Sequence, residues 1–199
     1  MKRLFLDSST NLLYIAISEH SDLLDYTIRL SRNDHSKYVV DRIDMLLKRN
    51  NLTIDDINEI VVGHGPGSYT GLRVSVTVSK MIAYTKNIKL SSVSSLYFLA
   101  SGYNFKKAPM IDARNNNVFC AIYDKDEVIL KDALRDTETL REQAKKHGAR
   151  PLLLNDETYE ISIKEILKKK QEVKDIHSFA PNYLRKTQAE RDLWLDMQS

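Results

Sequence analysis

Cysteine occurs once, at Cys120, so the chain has no internal disulfide framework. No apolar run comes near the roughly 20 residues that a membrane-spanning helix needs. The acid at Asp7 follows Met1 too soon for a signal peptide. Neither charge sign dominates: 30 lysines and arginines against 27 acids leave +3, too mild to predict nucleic-acid binding by itself. These absences exclude a disulfide-built secreted domain and a membrane span, and they predict a cytoplasmic protein. What is present is an ordinary globular composition, 42% hydrophobic over 199 residues, enough for one large domain or two small ones.

Glycine is scarce as well. Of six glycines, four fall within Gly63-His64-Gly65-Pro66-Gly67-Ser68-Tyr69-Thr70-Gly71-Leu72-Arg73, directly after the apolar run Ile60-Val61-Val62. A cluster this dense at the end of a strand marks a crowded crossing, where φ is positive or another backbone comes close. One reading is an anion cradle leading into a helix N-terminus. The other is a close strand-to-helix turn. The spacing fits neither the P-loop nor the dinucleotide fingerprint, and Pro66 removes one N–H donor.

Along the chain, Lys2–Asp7, Leu12–Ser18 and Leu23–Leu30 read as strands with short polar links, an antiparallel meander. A helix follows, capped by Asp34 or Ser36, with Val39, Ile43, Leu46 and Leu47 in one stripe and Val40 and Met45 off it. Thr53–Asp56 opens a short helical turn, and Glu59–Val62 is a fourth strand. From Leu72 to Ser79 apolar and polar residues alternate as in a strand, yet the run continues to Lys86 without a turn signal. That is too long for a typical strand, so it is assigned as a helix from about Thr70 to Lys86. Its small residues Ser75, Ser79 and Ala83 allow close packing. Leu90–Val93 is a fifth strand, and Ser94 or Ser95 caps a helix through Ala100.

Ser101-Gly102-Tyr103-Asn104 marks a boundary, giving subdomains 1–103 and 104–199. In the second, Pro109–Ala113, Val118–Tyr123 and Glu127–Leu130 read as strands, Thr137 caps a helix ending at Gly148, and Leu152–Leu154 is a strand. A helix over Ile161–Lys170, a weak strand over Glu172–Ile176 and a helix near Ala189–Met197 complete it. Each half thus runs strand, strand, strand, helix, strand, helix, strand, helix. The order is similar to that of the α/β, actin-like (ASKHA) fold of sugar kinases and actin, duplicated, with the second copy reduced.

Catalytic sets are missing. The five histidines, His20, His35, His64, His147 and His177, never pair at i+3 or i+4, so no helical two-histidine metal site is predicted. Ser68 lies in G-P-G-S-Y, not in a nucleophile elbow. Asp7 either places a metal or water, or caps the turn after its strand. The basic block Lys164–Lys170 reads as a solvated helix end, where lysines suit the macrodipole.

The glycine stretch, with Ser94-Ser95-Leu96 downstream, resembles the TsaB family, formerly YeaZ. Asp7-Ser8-Ser9-Thr10 is similar to its D-T-S-T, and His35-Ser36 to its H-S before the first helix. Asp112-Ala113-Arg114 with Val118-Phe119, and Pro181-Asn182-Tyr183-Leu184-Arg185, match its other motifs. The second half is shorter than is usual for that family.

The resemblance implies a non-catalytic subunit in the synthesis of N6-threonylcarbamoyladenosine in tRNA. It would pair with and activate the TsaD paralogue, which transfers threonylcarbamoyl from threonylcarbamoyl-AMP to the adenosine next to the anticodon of tRNAs reading ANN codons. The ATPase TsaE joins the pair, and tRNA is met through the complex. The implied partner-binding residues are Ser36, Val39, Val40, Ile43 and Leu47 on the first helix and Arg73, Val74, Thr77, Val78 and Met81 on the second. In that family the same surface can also make homodimers when TsaD is absent, and monomer and homodimer both stay open for this chain. No cofactor is implied for this subunit alone; ATP or ADP and a metal come with the partners. Asp7, Ser8, Gly65, Gly67 and Gly71 are the positions nearest any nucleotide. The alternative is an enzyme, an actin-fold ATP-dependent phosphotransferase or a metallopeptidase-like protein. The absence of a glycine after Asp7 counts against the first and the missing histidine pair against the second. An RNA-binding module has only a few lysines with Arg185, Lys186 and Arg191 to support it.

Overall fold

The computed structural model describes residues 1–30 and 34–184. Three antiparallel strands open the chain: β1 (Lys2–Asp7), β2 (Leu12–Glu19) and β3 (Asp22–Leu30). Helix α1 (His35–Arg49) then leads to β4 (Glu59–Gly63), which lies parallel to β1. Helix α2 (Tyr69–Lys86) leads to β5 (Lys89–Val93), parallel to β4, and α3 (Ser95–Ala100) follows. The second half repeats the pattern with β6 (Lys107–Asp112), β7 (Asn117–Asp124), β8 (Glu127–Asp136), α4 (Thr137–His147) and β9 (Arg150–Leu153). Its last elements are α5 (Ile163–Lys169) and β10 (Gln171–Glu172).

The two sheets have matching orders, β10-β5-β4-β1-β2-β3 and β8-β7-β6-β9. In each, an antiparallel meander is extended by a strand parallel to its first member. This is the expected actin-like fold, with the second sheet reduced to four strands. One strand departs from the repeat: β10 is antiparallel to β5, with Gln171 opposite Ser92, and completes the first sheet.

Alternation explains the layers. Leu4, Leu6, Leu13, Ile15 and Ile17 face one side of the first sheet and pack with Val39, Ile43, Leu46 and Leu47 of α1 and Val76 and Ala83 of α2. Phe5, Tyr14 and Val61 face the other side, where α3, α5 residues Ile163 and Ile166, and Phe119 and Ala121 of β7 share one core. Helix α4 covers the far face of the second sheet through Leu140 and Ala144.

Local chemistry sets the boundaries. The Ser68 hydroxyl accepts from the Gly71 N–H at 3.3 Å and caps α2. The alternating valines are helical because Leu72, Ser75, Val76, Ser79 and Ala83 form one buried face at helical spacing. Asp136, not Thr137, caps α4, accepting from the Thr139 N–H at 2.8 Å, and Gly148 closes the helix at φ 63°. Asp34 precedes α1, but its carboxylate is taken by Arg29, with N–O distances of 2.6 and 2.7 Å, rather than by the helix N-terminus. β8 runs past Leu130 to Asp136, and β10 stops short of the expected Ile176. The expected helix near Ala189–Met197 lies outside the described residues.

Candidate functional site

The glycine loop packs against the turn between β1 and β2. A Cβ on Gly71 would lie 1.9 Å from the Ser8 carbonyl oxygen, so no other residue fits there without moving the turn. Gly65 has φ +112°, a conformation that L side chains rarely adopt, and sits against the Asn182 carbonyl. Ser8 Oγ donates to the Gly71 carbonyl at 2.7 Å, and the Ser68 N–H to the Ser9 carbonyl at 2.7 Å. Three further loop donors are bonded within the protein: His64 N–H to the Val93 carbonyl, Gly65 N–H to Ser95 Oγ and Leu72 N–H to the Ser68 carbonyl. A cavity at the loop's outer side, beside His35, Ser68 and Gly71, is about 10 Å³, the size of one water. The stretch works as a close turn.

Asp7 and Ser8 are fully buried beneath this loop. Asp7 Oδ1 accepts from the Ser9 N–H at 2.9 Å and the Ser9 hydroxyl at 2.7 Å. Its Oδ2 faces the Ser95 hydroxyl without a well-formed hydrogen bond. Burial pushes the Asp7 carboxyl up, against the pull of Ser95 and Ser9. His35 anchors the start of α1 by donating from Nε2 to the Thr10 carbonyl at 3.2 Å, and burial pushes its imidazole down. Among the described residues no group of three His, Cys, Asp or Glu side chains could hold a metal ion, and no helix is long and apolar enough to cross a membrane.

Helices α1 and α2 lie side by side on the outer face of the first sheet. Of the ten helix positions singled out above, Val39, Ile43 and Leu47 are at most 5% exposed and fix α1 to the sheet. Val74 and Val78 are half-buried against the same core. Ser36, Val40, Arg73, Thr77 and Met81 point outward. Met45 and Tyr84, absent from that set, also do so; Val40, Met45, Met81 and Tyr84 are each 60–62% exposed. Ser75, Ser79 and Ala83 face inward, so the small residues draw α2 onto its own sheet and not toward an outside surface. The flank of α2 is strapped by residues 173–184: Lys80 Nζ donates to the His177 carbonyl at 3.0 Å, and Tyr183 stacks on Tyr69 with ring centroids 4.5 Å apart.

A family model described as TsaD, tRNA N6-adenosine threonylcarbamoyltransferase, matches residues 29–146. The chain is 28% identical to the tRNA threonylcarbamoyladenosine biosynthesis protein TsaB of Bacillus subtilis, over the full length of both. It is 26% identical to the Escherichia coli protein of the same name, across 64% of this chain and 57% of that one. YeaZ from Pseudomonas aeruginosa shares its fold with a TM-score of 0.70 at 21% identity, covering 92% of this chain and 99% of that one. With the model matched over more than half of its length and a TsaB relative aligned from end to end, the chain belongs to this threonylcarbamoyltransferase-type family, in its TsaB (YeaZ) group.

Proposed function

We propose that this chain is a non-catalytic subunit of the machinery that makes N6-threonylcarbamoyladenosine in tRNA. It pairs with a TsaD-type transferase through the outward face of α1 and α2 and activates it. The transferase carries the metal and moves threonylcarbamoyl from threonylcarbamoyl-AMP to adenosine next to the anticodon, with the TsaE ATPase as a third member. The observation that carries this reading is the pair of neighbouring helices that spend one apolar face on their own sheet and still present Val40, Met45, Met81 and Tyr84 to the outside. Apolar side chains clustered at an accessible face of packed helices are what an obligate partner covers, and such an interface buries roughly 2,000 Å² or more. The glycine loop supports the same reading over an enzyme, since its His64, Gly65, Ser68 and Gly71 N–H donors are bonded within the protein and its Gly67 and Gly71 are packed against the β1–β2 turn.

The test is co-purification with the transferase paralogue of the same organism, followed by a transfer assay with and without this chain. Val40→Asp and Met81→Asp each place a charge on the outward face and are expected to abolish co-elution. Both sites are exposed, so the unfolding free energy should hold to within about 0.5 kcal/mol. Val74 is a poorer probe, because its half-buried side chain also supports the sheet. Pairing that survives both substitutions would mean that another surface binds the partner. ATP turnover by the isolated chain would favour the enzyme reading instead.

A further inference from the structure

A much larger open space than the one beside the glycine loop lies between the two sheets, on the side where β10 joins β5. It is a cleft of about 300 Å³, within the size range of small-molecule sites. Its floor is Tyr97 and Tyr123, packed edge to face with ring centroids 5.1 Å apart. Val93 and the exposed Val128 add apolar wall. Two lysines line it, Lys131 from β8 and Lys169 from the end of α5.

The lysine run at the end of α5 separates into roles. Lys168 pairs with Glu165 at 2.7 Å and Lys170 pairs with the buried Glu59. Lys169, between them, has no ion-pair partner among the described residues, and neither has Lys131. The one carboxylate in the lining, Asp132, already accepts from the Tyr123 hydroxyl at 2.7 Å and leaves the cleft with a net positive wall. His64 holds its Nδ1 on the Val93 carbonyl at 2.9 Å, which leaves Nε2 to a ligand. Two unpaired cations beside an apolar, aromatic floor select a compact dianion that carries a ring-sized apolar body. We propose that this cleft is a binding site for a small phosphorylated molecule of that kind, its phosphate between Lys131 and Lys169 and its ring on the Tyr97–Tyr123 floor. This site is separate from the Asp7–Thr10 turn, which the glycine loop fills, and it does not depend on the helix pair.

Phenyl phosphate is the probe, titrated to about 10 mM against the full chain while the backbone amides are followed by NMR, since a ligand this small is expected to bind at millimolar strength. Saturable shifts should appear at Ser94, Val128, Lys131 and Gln171. Inorganic phosphate and phenol, each half of the probe, should bind at least about fivefold more weakly. The double substitution Lys131→Gln, Lys169→Gln should weaken phenyl phosphate about fivefold or more, whereas Lys168→Gln should leave it unchanged. Shifts that never saturate, or that ignore the double substitution, would overturn the proposal. Inorganic phosphate binding as tightly as phenyl phosphate would do so too, because the floor would then contribute nothing.

Discussion

Asp7 sits where an acid is least favoured, at zero exposure under the glycine loop. Because burial raises its pKa in the native state, the folded chain holds this proton more tightly than the unfolded chain does. Its contribution is complete below the unfolded value of 3.8 and is lost as pH rises through the native one. Above that unfolded value folding must either keep the buried carboxyl protonated or bury its charge, and either costs stability. Asp7→Asn keeps the shape and an acceptor for Ser9, and it should raise the urea-derived stability by about 1–2 kcal/mol at pH 7 with little change at pH 3. A loss at pH 7 would mean that the Ser9 bonds to the carboxylate outweigh the burial. The sequence leaves Asp7 with two roles, metal or water holder and turn cap. The hydrogen bonds to Ser9 show the capping role for Oδ1, which rests on neighbours and not on residue type.

At the level of elements, α2 depends on how closely its first turn approaches β1. Gly71→Ala would drive a methyl group into the Ser8 carbonyl oxygen, 1.9 Å away, and into backbone rather than a movable side-chain tip. The expected cost is about 3 kcal/mol or more, read as a drop in the urea midpoint. The strength of the glycine signal made this crossing legible from residues alone. Helix α2 was harder, because strict alternation from Leu72 to Ser79 imitates a strand, and run length decided it. Which faces of α1 and α2 are free was only half legible. A stripe such as Val39, Ile43, Leu47 is apolar whether it meets a sheet or a partner, and its burial at 1–5% assigns it to the sheet. Tyr84 and Met45 carried no periodic signal, since each lies outside the stripe that the eye follows.

For the molecule as a whole, an ionic cluster ties the end of α5 to the first sheet, beside the apolar core that the halves share. Glu59 of β4 is fully buried and accepts from Arg3 Nε at 2.7 Å, from Ser91 Oγ at 2.7 Å and from Lys170. Burial opposes its ionisation, but the bonds from Lys170, Ser91 and Arg3 outweigh it and hold the carboxyl below its ordinary value. Lys170→Met should cost about 2 kcal/mol by leaving this buried charge short of a partner, whereas Lys169→Met next to it should change stability by less than about 0.5 kcal/mol. Equal effects would mean that the lysine run acts only as a surface charge. From sequence the run read as one solvated helix end, because the acids that sort it, Glu59 and Glu165, are recruited from different distances along the chain. The duplicated strand order was legible because short polar links force antiparallel neighbours. The transfer of β10 to the other sheet was not, since two residues, Gln171 and Glu172, carry no pattern. That transfer also sets an order in time. On the ribosome β5 is made about 80 residues before β10. At roughly 5–20 residues per second, the first sheet waits several seconds with that edge uncovered before its last strand emerges. Such an edge is open to pairing with another nascent chain. The chain is therefore most exposed to misassembly during translation, in the interval between its two halves.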